Sequence, residues 1–223
     1  MEPFIHIIDD DASFRTALGR LVETYGFCAN RYDSGDDFLA RLPKSEAGCI
    51  LLDLRMPGLS GPELQERLVL AVPLLPIVFL TGQGTIAASV QAMKAGADDF
   101  LEKPISSQIL REAIERALAN NEKRRAGHDQ SQALQTKVFS LTPREIQVFD
   151  LVVRGRRNKQ VAYDLNTSER TIKAHRHSIM EKLGVTSFAE MVSIAERLGP
   201  VRSTQAVSNP TSGSSPKANI QRH

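Results

Sequence analysis

The sequence predicts an α/β domain with a doubly wound parallel sheet over residues 1–120, followed by a small all-α domain of four helices over 139–199. Three observations carry this expectation. From Phe4 to about residue 119, short apolar runs alternate with stretches of helical periodicity. From Leu141 to Leu198 the pattern is helical throughout, with no strand-like alternation. The charge divides along the same line. Residues 1–120 hold 11 Lys and Arg against 17 Asp and Glu (net −6), and residues 121–223 hold 17 against 9 (net +8). An acidic first part and a basic second part point to two partners, the second of them nucleic acid.

Taken in order, the expected strands are Phe4–Ile8, Phe27–Tyr32, Cys49–Leu52, Ile77–Leu80 and Phe100–Leu101. Between the first two, Phe14, Leu18, Leu21, Val22 and Tyr25 fall on one helical face, and Gly26 is a natural stop. Ser60 and Glu63 have the spacing of a capping box ahead of the third helix. Ile86, Val90 and Met93 give a fourth helix its apolar stripe, and Gly96 ends it. Ile109, Ala113 and Leu118 are the expected inward residues of a fifth, starting near Ser106. Parallel strands need helical crossovers, and right-handed crossovers leave few topologies. The flavodoxin-like order 2-1-3-4-5 is the one expected.

Residues 121–138 form a polar linker, either a loop or an extension of the fifth helix that Gly127 weakens. The tail, 200–223, rich in Ser, Thr, Asn, Gly and Pro, is expected to be disordered. No basic segment precedes the first apolar run, so no secretory signal is expected. The longest apolar run, Val72 to Leu80, is broken by prolines and falls short of the ~20 residues a bilayer span needs. No membrane partner and a cytoplasmic location follow as expectations. Cys28 and Cys49, both in apolar stretches, are expected to be buried thiols, and the five histidines do not cluster as metal ligands.

In an open α/β sheet, ligands bind beyond the carboxyl ends of the strands. The residues there are Asp9 and Asp10, Asp53, Thr81, and Lys103–Pro104. With strands 1 and 3 adjacent, three carboxylates crowd one site and call for a cation. Oxygen ligands without Cys or His point to Mg²⁺. Thr81 brings a hydroxyl and Lys103 a mobile cation, both suited to phosphoryl oxygens. The chemistry that uses all of these is carboxylate attack on phosphorus. Asp11 is left as a helix N-cap.

The all-α domain divides into helices at about 143–154, 158–165, 168–183 and 187–198, with Thr142, Pro143 and Glu145 opening the first as a capping box. Asn166-Thr167 makes a sharp turn between the second and third, because Asn tolerates the left-handed conformation. A short helix, a tight turn and a longer basic helix describe a helix-turn-helix. Ile172, Ile179, Met180 and Leu183 of the third helix can face a core. Arg170, Lys173, Arg176 and His177 are then left to face DNA phosphates.

IIDDD at 7–11, LLDLRMPGLSG at 51–61, FLTGQG at 79–84 and AMKAGADDFLEKP at 92–104 resemble the response-regulator receiver family. LTPREIQVFDLV at 141–152 and NKQVAYDLNTSERTIKAHRHSIMEKLGV at 158–185 resemble the LuxR-type DNA-binding domain, and the whole resembles a NarL/FixJ-family response regulator. The resemblance implies that Asp53 is the phosphoacceptor and that Asp9, Asp10, Asp53 and the Arg55 carbonyl hold Mg²⁺. It implies that Thr81 and Lys103 bind the phosphoryl group, that Lys103–Pro104 is cis, and that Phe100 is the aromatic switch. Lys173, Ala174 and His177 would approach base edges, with Thr171, Arg176, Asn158 and Lys159 on phosphates. Tyr163 stands where a small residue is common, and Asn166 where Gly is common.

The function so implied is transcriptional control by a partner sensor histidine kinase, with no turnover reaction. Phosphorylation would pair two receivers through helix 4 (Thr85–Ala95) and strand 5 over a promoter, or else release an inhibitory contact on the helix-turn-helix. One alternative is a sigma-factor-like module that docks on RNA polymerase. Another is a haloacid-dehalogenase-type phosphatase, disfavoured because Arg55 stands where such enzymes carry a second Asp.

Overall fold

The computed structural model describes residues 2–43, 45–82 and 86–198, without the side chains of Ile86 and Ala88. The expected disordered tail lies outside the described residues. The chain divides into two units, 1–130 and 131–223. The first begins β1 (Phe4–Ile8), α1 (Ala12–Thr24), β2 (Cys28–Tyr32), α2 (Gly35–Ala40), β3 (Gly48–Asp53) and α3 (Gly61–Ala71). It continues β4 (Ile77–Thr81), α4 (Ile86–Lys94), β5 (Asp99–Glu102) and α5 (Ser107–Phe139). All neighbouring strands are parallel, in the order β2-β1-β3-β4-β5 that was expected.

The central strands β3 and β4 read as apolar runs up to their last residues because both faces of the sheet are covered there, whereas edge strand β2 carries Asn30 and Arg31 and edge strand β5 begins and ends on acidic residues. Side chains alternate along β3: Ile50 and Leu52 join one buried cluster, Cys49 and Leu51 the other. The first cluster packs under Phe38 of α2, Leu64 and Leu68 of α3 and Ala92 of α4. The second packs under Leu18 and Val22 of α1 and Leu110, Ala113 and Ile114 of α5. Asp11 caps α1, accepting from Ser13 and Phe14 N–H, and Ser60 and Glu63 form the capping box of α3.

Two expectations about burial are corrected, for Ile109 and Cys28, and the apolar stripe of α4 is exposed at Val90 and Met93. Val90 and Met93 of α4 are 44% and 46% exposed, and among the described side chains of α4 the one turned inward is Ala92. The small side chain lets the helix backbone come close, and Gln65 Nε2 donates to the Ala92 carbonyl at 3.2 Å. Ile109 is likewise exposed, with its neighbour Leu110 buried instead. Cys49 is fully buried, and burial pushes its thiol pKa up, but Cys28 on edge strand β2 is only half-buried.

Residues 121–138, expected to link two domains, belong to α5, and the division between units falls inside that helix. Its middle turns are fastened to the amino-terminal edge of the sheet. Asn121, buried, accepts from Gly48 N–H at 3.0 Å and donates to the Glu46 and Leu74 carbonyls at 2.8 Å each. Arg124 pairs with Asp98 at 3.0 Å, and Asp98 also accepts from Ile77 N–H.

The second unit holds α6 (Pro143–Val153), α7 (Asn158–Asp164), α8 (Glu169–Leu183) and α9 (Phe188–Leu198) after the last turns of α5. Val148, Phe149, Val161, Ile172, Ile179, Leu183 and Met191 form its core. Asn166 has φ 48°, the left-handed turn expected between α7 and α8. Thr142 and Glu145 make the expected capping box, and Glu145 does more than cap. It is buried, accepting from Thr142 N–H at 2.7 Å, Lys182 Nζ at 2.6 Å and Ser178 Oγ at 2.7 Å. Burial alone would raise its pKa, but these donors outweigh burial and lower it from 4.5 to about 2.

Two outcomes are expected. Asn121→Ala leaves three backbone groups without their partner and should destabilise the first unit by about 2–3 kcal/mol, seen as faster amide exchange in β3. Because the folded-state pKa of Glu145 is depressed, its contribution is complete above pH 4.5 and is lost as pH falls toward about 2. Glu145→Gln should therefore cost roughly 2 kcal/mol at neutral pH, allowing for screening at the more exposed Lys182. It should also flatten the dependence of α6 and α8 amide exchange on pH across that window.

Candidate functional site

The carboxyl ends of β1, β3, β4 and β5 lie along one edge of the sheet, so Asp9, Asp53, Thr81 and Lys103 come from four separate segments. In register, Ile8 stands opposite Leu52, Asp53 opposite Leu80, and Thr81 opposite Glu102. Asp9, Asp53 and Thr81 are all buried, at 1%, 6% and 1% exposure. The Lys103 ammonium joins the two carboxylates, donating to Asp9 Oδ2 at 2.7 Å and Asp53 Oδ1 at 2.6 Å. The remaining oxygens are held by main chain: Asp9 Oδ1 accepts from Asp11 N–H at 2.9 Å, and Asp53 Oδ2 from Arg55 N–H at 2.8 Å. The Lys103–Pro104 peptide is cis, as expected.

Close approach shapes the floor of the site. A Cβ on Gly61, at the start of α3, would lie 2.5 Å from the Asp53 carbonyl oxygen and 2.9 Å from the Phe79 ring. Only glycine lets α3 begin there, directly behind the Asp53 backbone.

Burial pushes the Asp9 pKa up, and the Lys103 hydrogen bond only partly offsets it. For Lys103 the balance is reversed. Burial works against its charge, but hydrogen bonds to Asp53 and Asp9 outweigh it and raise its pKa. The two directions agree once exposure is considered. The Lys103 side chain keeps 18% exposure against 1% for Asp9, so the loss of solvation falls mainly on the carboxylate.

Asp10 does not join the cluster: it is exposed, and among the described residues no three acidic, His or Cys side chains stand close enough to hold a metal ion. The expected crowding of three carboxylates is therefore corrected to two, bridged by an ammonium. The peptide after Asp9 turns into the α1 cap, and Asp10 is carried outward with it. Phe100 is half-buried, its ring centroid 6.4 Å from that of Phe79.

Two contacts were not foreseen. The Phe14 ring lies under the Lys103 ammonium, 4.0 Å from centroid to Nζ, and the Arg15 guanidinium donates to the Asp9 carbonyl at 2.5 Å. Phe14 has the periodicity of a core residue, and nothing in that pattern marks a ring that meets a lysine 89 positions away.

In the second unit, Thr171, Lys173, Ala174 and His177 of α8 are exposed while Ile172, Ile179 and Leu183 are buried, so the helix presents the expected face. Met180, expected in the core, is only half-buried and packs at its margin. Lys159 is exposed. Asn158 and Arg176 are half-buried and joined at 2.8 Å, and the Arg176 guanidinium also lies 5.5 Å from the Phe188 ring centroid. Tyr163 points to solvent, 87% exposed, so a large residue is accommodated where a small one is common.

Comparison with protein families matches residues 5–115 to the response regulator receiver domain and residues 139–195 to the bacterial regulatory proteins of the luxR family. Response regulator protein TodT of Pseudomonas putida is 40% identical over 194 residues, covering 87% of this chain and 86% of TodT. Transcriptional regulatory protein FixJ of Bradyrhizobium diazoefficiens is 39% identical over 195 residues, 87% of this chain and 95% of FixJ. Among solved structures, the response regulator StyR shares 44% identity with a TM-score of 0.73, over 88% of this chain and all of that one. No helix among the described residues is long and apolar enough to cross a membrane. With a receiver fold, a LuxR-type domain and relatives of this kind along most of its length, the chain belongs to the NarL/FixJ family of two-component transcriptional response regulators, which are not turnover enzymes.

Proposed function

We propose that Asp53 is the residue phosphorylated by a partner histidine kinase and that its acyl phosphate controls how α8 engages promoter DNA. The observation that carries this reading is the buried Asp53 carboxylate, with one oxygen on the Lys103 ammonium and the other on the Arg55 N–H. A carboxylate so held keeps a fixed direction of attack, and the ammonium stands ready to take up charge on a transferring phosphoryl group.

The donor set suits Mg²⁺. Asp9 and Asp53 are oxygen ligands already bridged by a cation, and Asp10 and the Arg55 carbonyl would complete the holding set with water. When bound, the ion neutralises phosphoryl oxygens. The chain's own residues do the rest: Asp53 supplies the nucleophile, Lys103 holds the phosphoryl oxygens, and the Thr81 hydroxyl senses them from the end of β4. A turn of Thr81 toward the phosphate changes the space available to Phe100 on the adjacent strand.

The exposed apolar side chains of Val90 and Met93 on α4 support a phosphorylation-dependent pairing of two receivers through the α4–β5 face. A dimer would set two α8 helices on half-sites one or two DNA turns apart. Lys173, Ala174 and His177 would read base edges, and Thr171, Arg176, Asn158 and Lys159 would hold phosphates. The setting is the cytoplasm, where kinase and promoter are both present, with RNA polymerase as the further partner at the promoter.

Three measurements test this reading. Incubation with a small phosphodonor and Mg²⁺ should give a single base-labile acyl phosphate, and Asp53→Asn should abolish it; full labelling of the variant would refute the assignment. Lys173→Ala should weaken binding by about 1–3 kcal/mol and relax preference at one base position. Lys159→Ala should instead weaken all sequences alike and reduce the salt slope by about 1. For the dimer, sedimentation of the phosphorylated protein at tens of micromolar should report twice the resting mass. A monomer that still gained DNA affinity would overturn it.

A further inference from the structure

We infer that Phe14 is a positioning residue for phosphoryl transfer, its ring face holding the Lys103 ammonium in place while Asp53 gives up its charge. The inference rests on the reading of Asp53 as acceptor. An ammonium has three N–H donors and no acceptor. Two of those donors go to Asp9 and Asp53, and the ring, 4.0 Å from Nζ, is the further contact that Lys103 makes. At 18% exposure the lysine side chain is largely withdrawn from water, a setting in which a cation is drawn to an aromatic face more strongly than at an open surface.

The ring is itself fixed at two points. Its backbone N–H is tied to the Asp11 cap at 3.1 Å, and its side chain packs against the cluster that contains Leu18 and Leu110. A side chain that only filled the core would need no lysine over its face.

The transfer step explains why a neutral partner is useful. With phosphoramidate as donor, an Asp53 oxygen forms a bond to phosphorus as the P–N bond breaks. The electron pair of that bond leaves on nitrogen as ammonia, whose three hydrogens come from the zwitterionic donor. Asp53 passes from anion to acyl phosphate, and its hold on Lys103 weakens as the phosphoryl oxygens come to need a cation. The attraction between ammonium and ring does not depend on that charge. Phe14 therefore keeps Lys103 from collapsing onto Asp9 and leaves it facing the transferring group.

The test uses the full-length protein with phosphoramidate and Mg²⁺, following acyl phosphate on Asp53 by intact mass. Phe14→Leu keeps apolar bulk and removes the ring; Phe14→Tyr keeps the ring. Phosphorylation should slow by about 3- to 10-fold in Phe14→Leu and stay within about 2-fold of the parent in Phe14→Tyr. In proton spectra the Lys103 ε-methylene should resonate upfield in the parent and in Phe14→Tyr, and return to its ordinary position in Phe14→Leu. Parent-like rates in both variants, with Asp53→Asn unlabelled, would make Phe14 a core residue only and leave the acceptor reading intact. Equal slowing in both variants would also overturn the inference, because the ring would not be the cause. Full labelling of Asp53→Asn would remove the acceptor reading and the role of Phe14 with it.

Discussion

The ammonium of Lys103 between Asp9 and Asp53 is the interaction on which the first unit turns. Two buried carboxylates within reach of one cation cannot both stay ionised if that cation is withdrawn, and desolvation makes an uncompensated charge costly. The strand order makes the arrangement attainable. Adjacent β1 and β3 bring the carboxylates together, and β5, two strands further on, returns the lysine through its long side chain. Gly61 and the main-chain donors after Asp9 and Asp53 then hold each oxygen in a set direction. The site is a small polar island in which one ammonium serves two carboxylates, and any anion entering it must share that lysine.

The second unit follows the same logic with a different purpose. Glu145 is a buried carboxylate with three donors, one of them Lys182. Here the satisfied charge couples the start of α6 to the last turns of α8, so the helix with the exposed Lys173 and His177 is held by more than its apolar stripe. Arg176 serves two masters, bonded to Asn158 and lying near the Phe188 ring, which ties α8 to both α7 and α9. A guanidinium so engaged is pre-ordered, and a phosphate meeting it finds less side-chain freedom to freeze.

Much of this was legible in the sequence because it depends on local pattern. The central strands β3 and β4 are apolar runs, the caps at Asp11, Ser60 and Thr142 follow residue type and spacing, and the left-handed turn at Asn166 follows from the one residue there that tolerates it. The positions of Asp9, Asp53, Thr81 and Lys103 follow from strand ends alone. Ile109 was misread, and the exposure of Val90 and Met93 was not legible, because periodicity identifies an apolar stripe without saying whether a protein core or another surface covers it. The outward turn of Asp10 was not legible, because adjacency in the chain does not say which way a side chain leaves a strand end. The contacts that escaped entirely, Phe14 with Lys103, Asn121 with Gly48, and Glu145 with Lys182, join residues 89, 73 and 37 positions apart. Each is made by a side chain with an adequate local explanation of its own.

The buried amide of Asn121 carries a consequence for how such regulators can be recombined. The matched receiver ends at residue 115, yet the helix beyond it supplies the hydrogen-bond partners of Gly48, Glu46 and Leu74 and the counter-charge of Asp98. A chimera spliced at the family boundary would graft foreign turns onto the open end of the sheet, and its fate would depend on whether the donor helix brought an amide and a guanidinium to the same rungs. The exchangeable piece of this chain is therefore longer than the portion that matches the receiver family, and a compatible seam lies past Arg124.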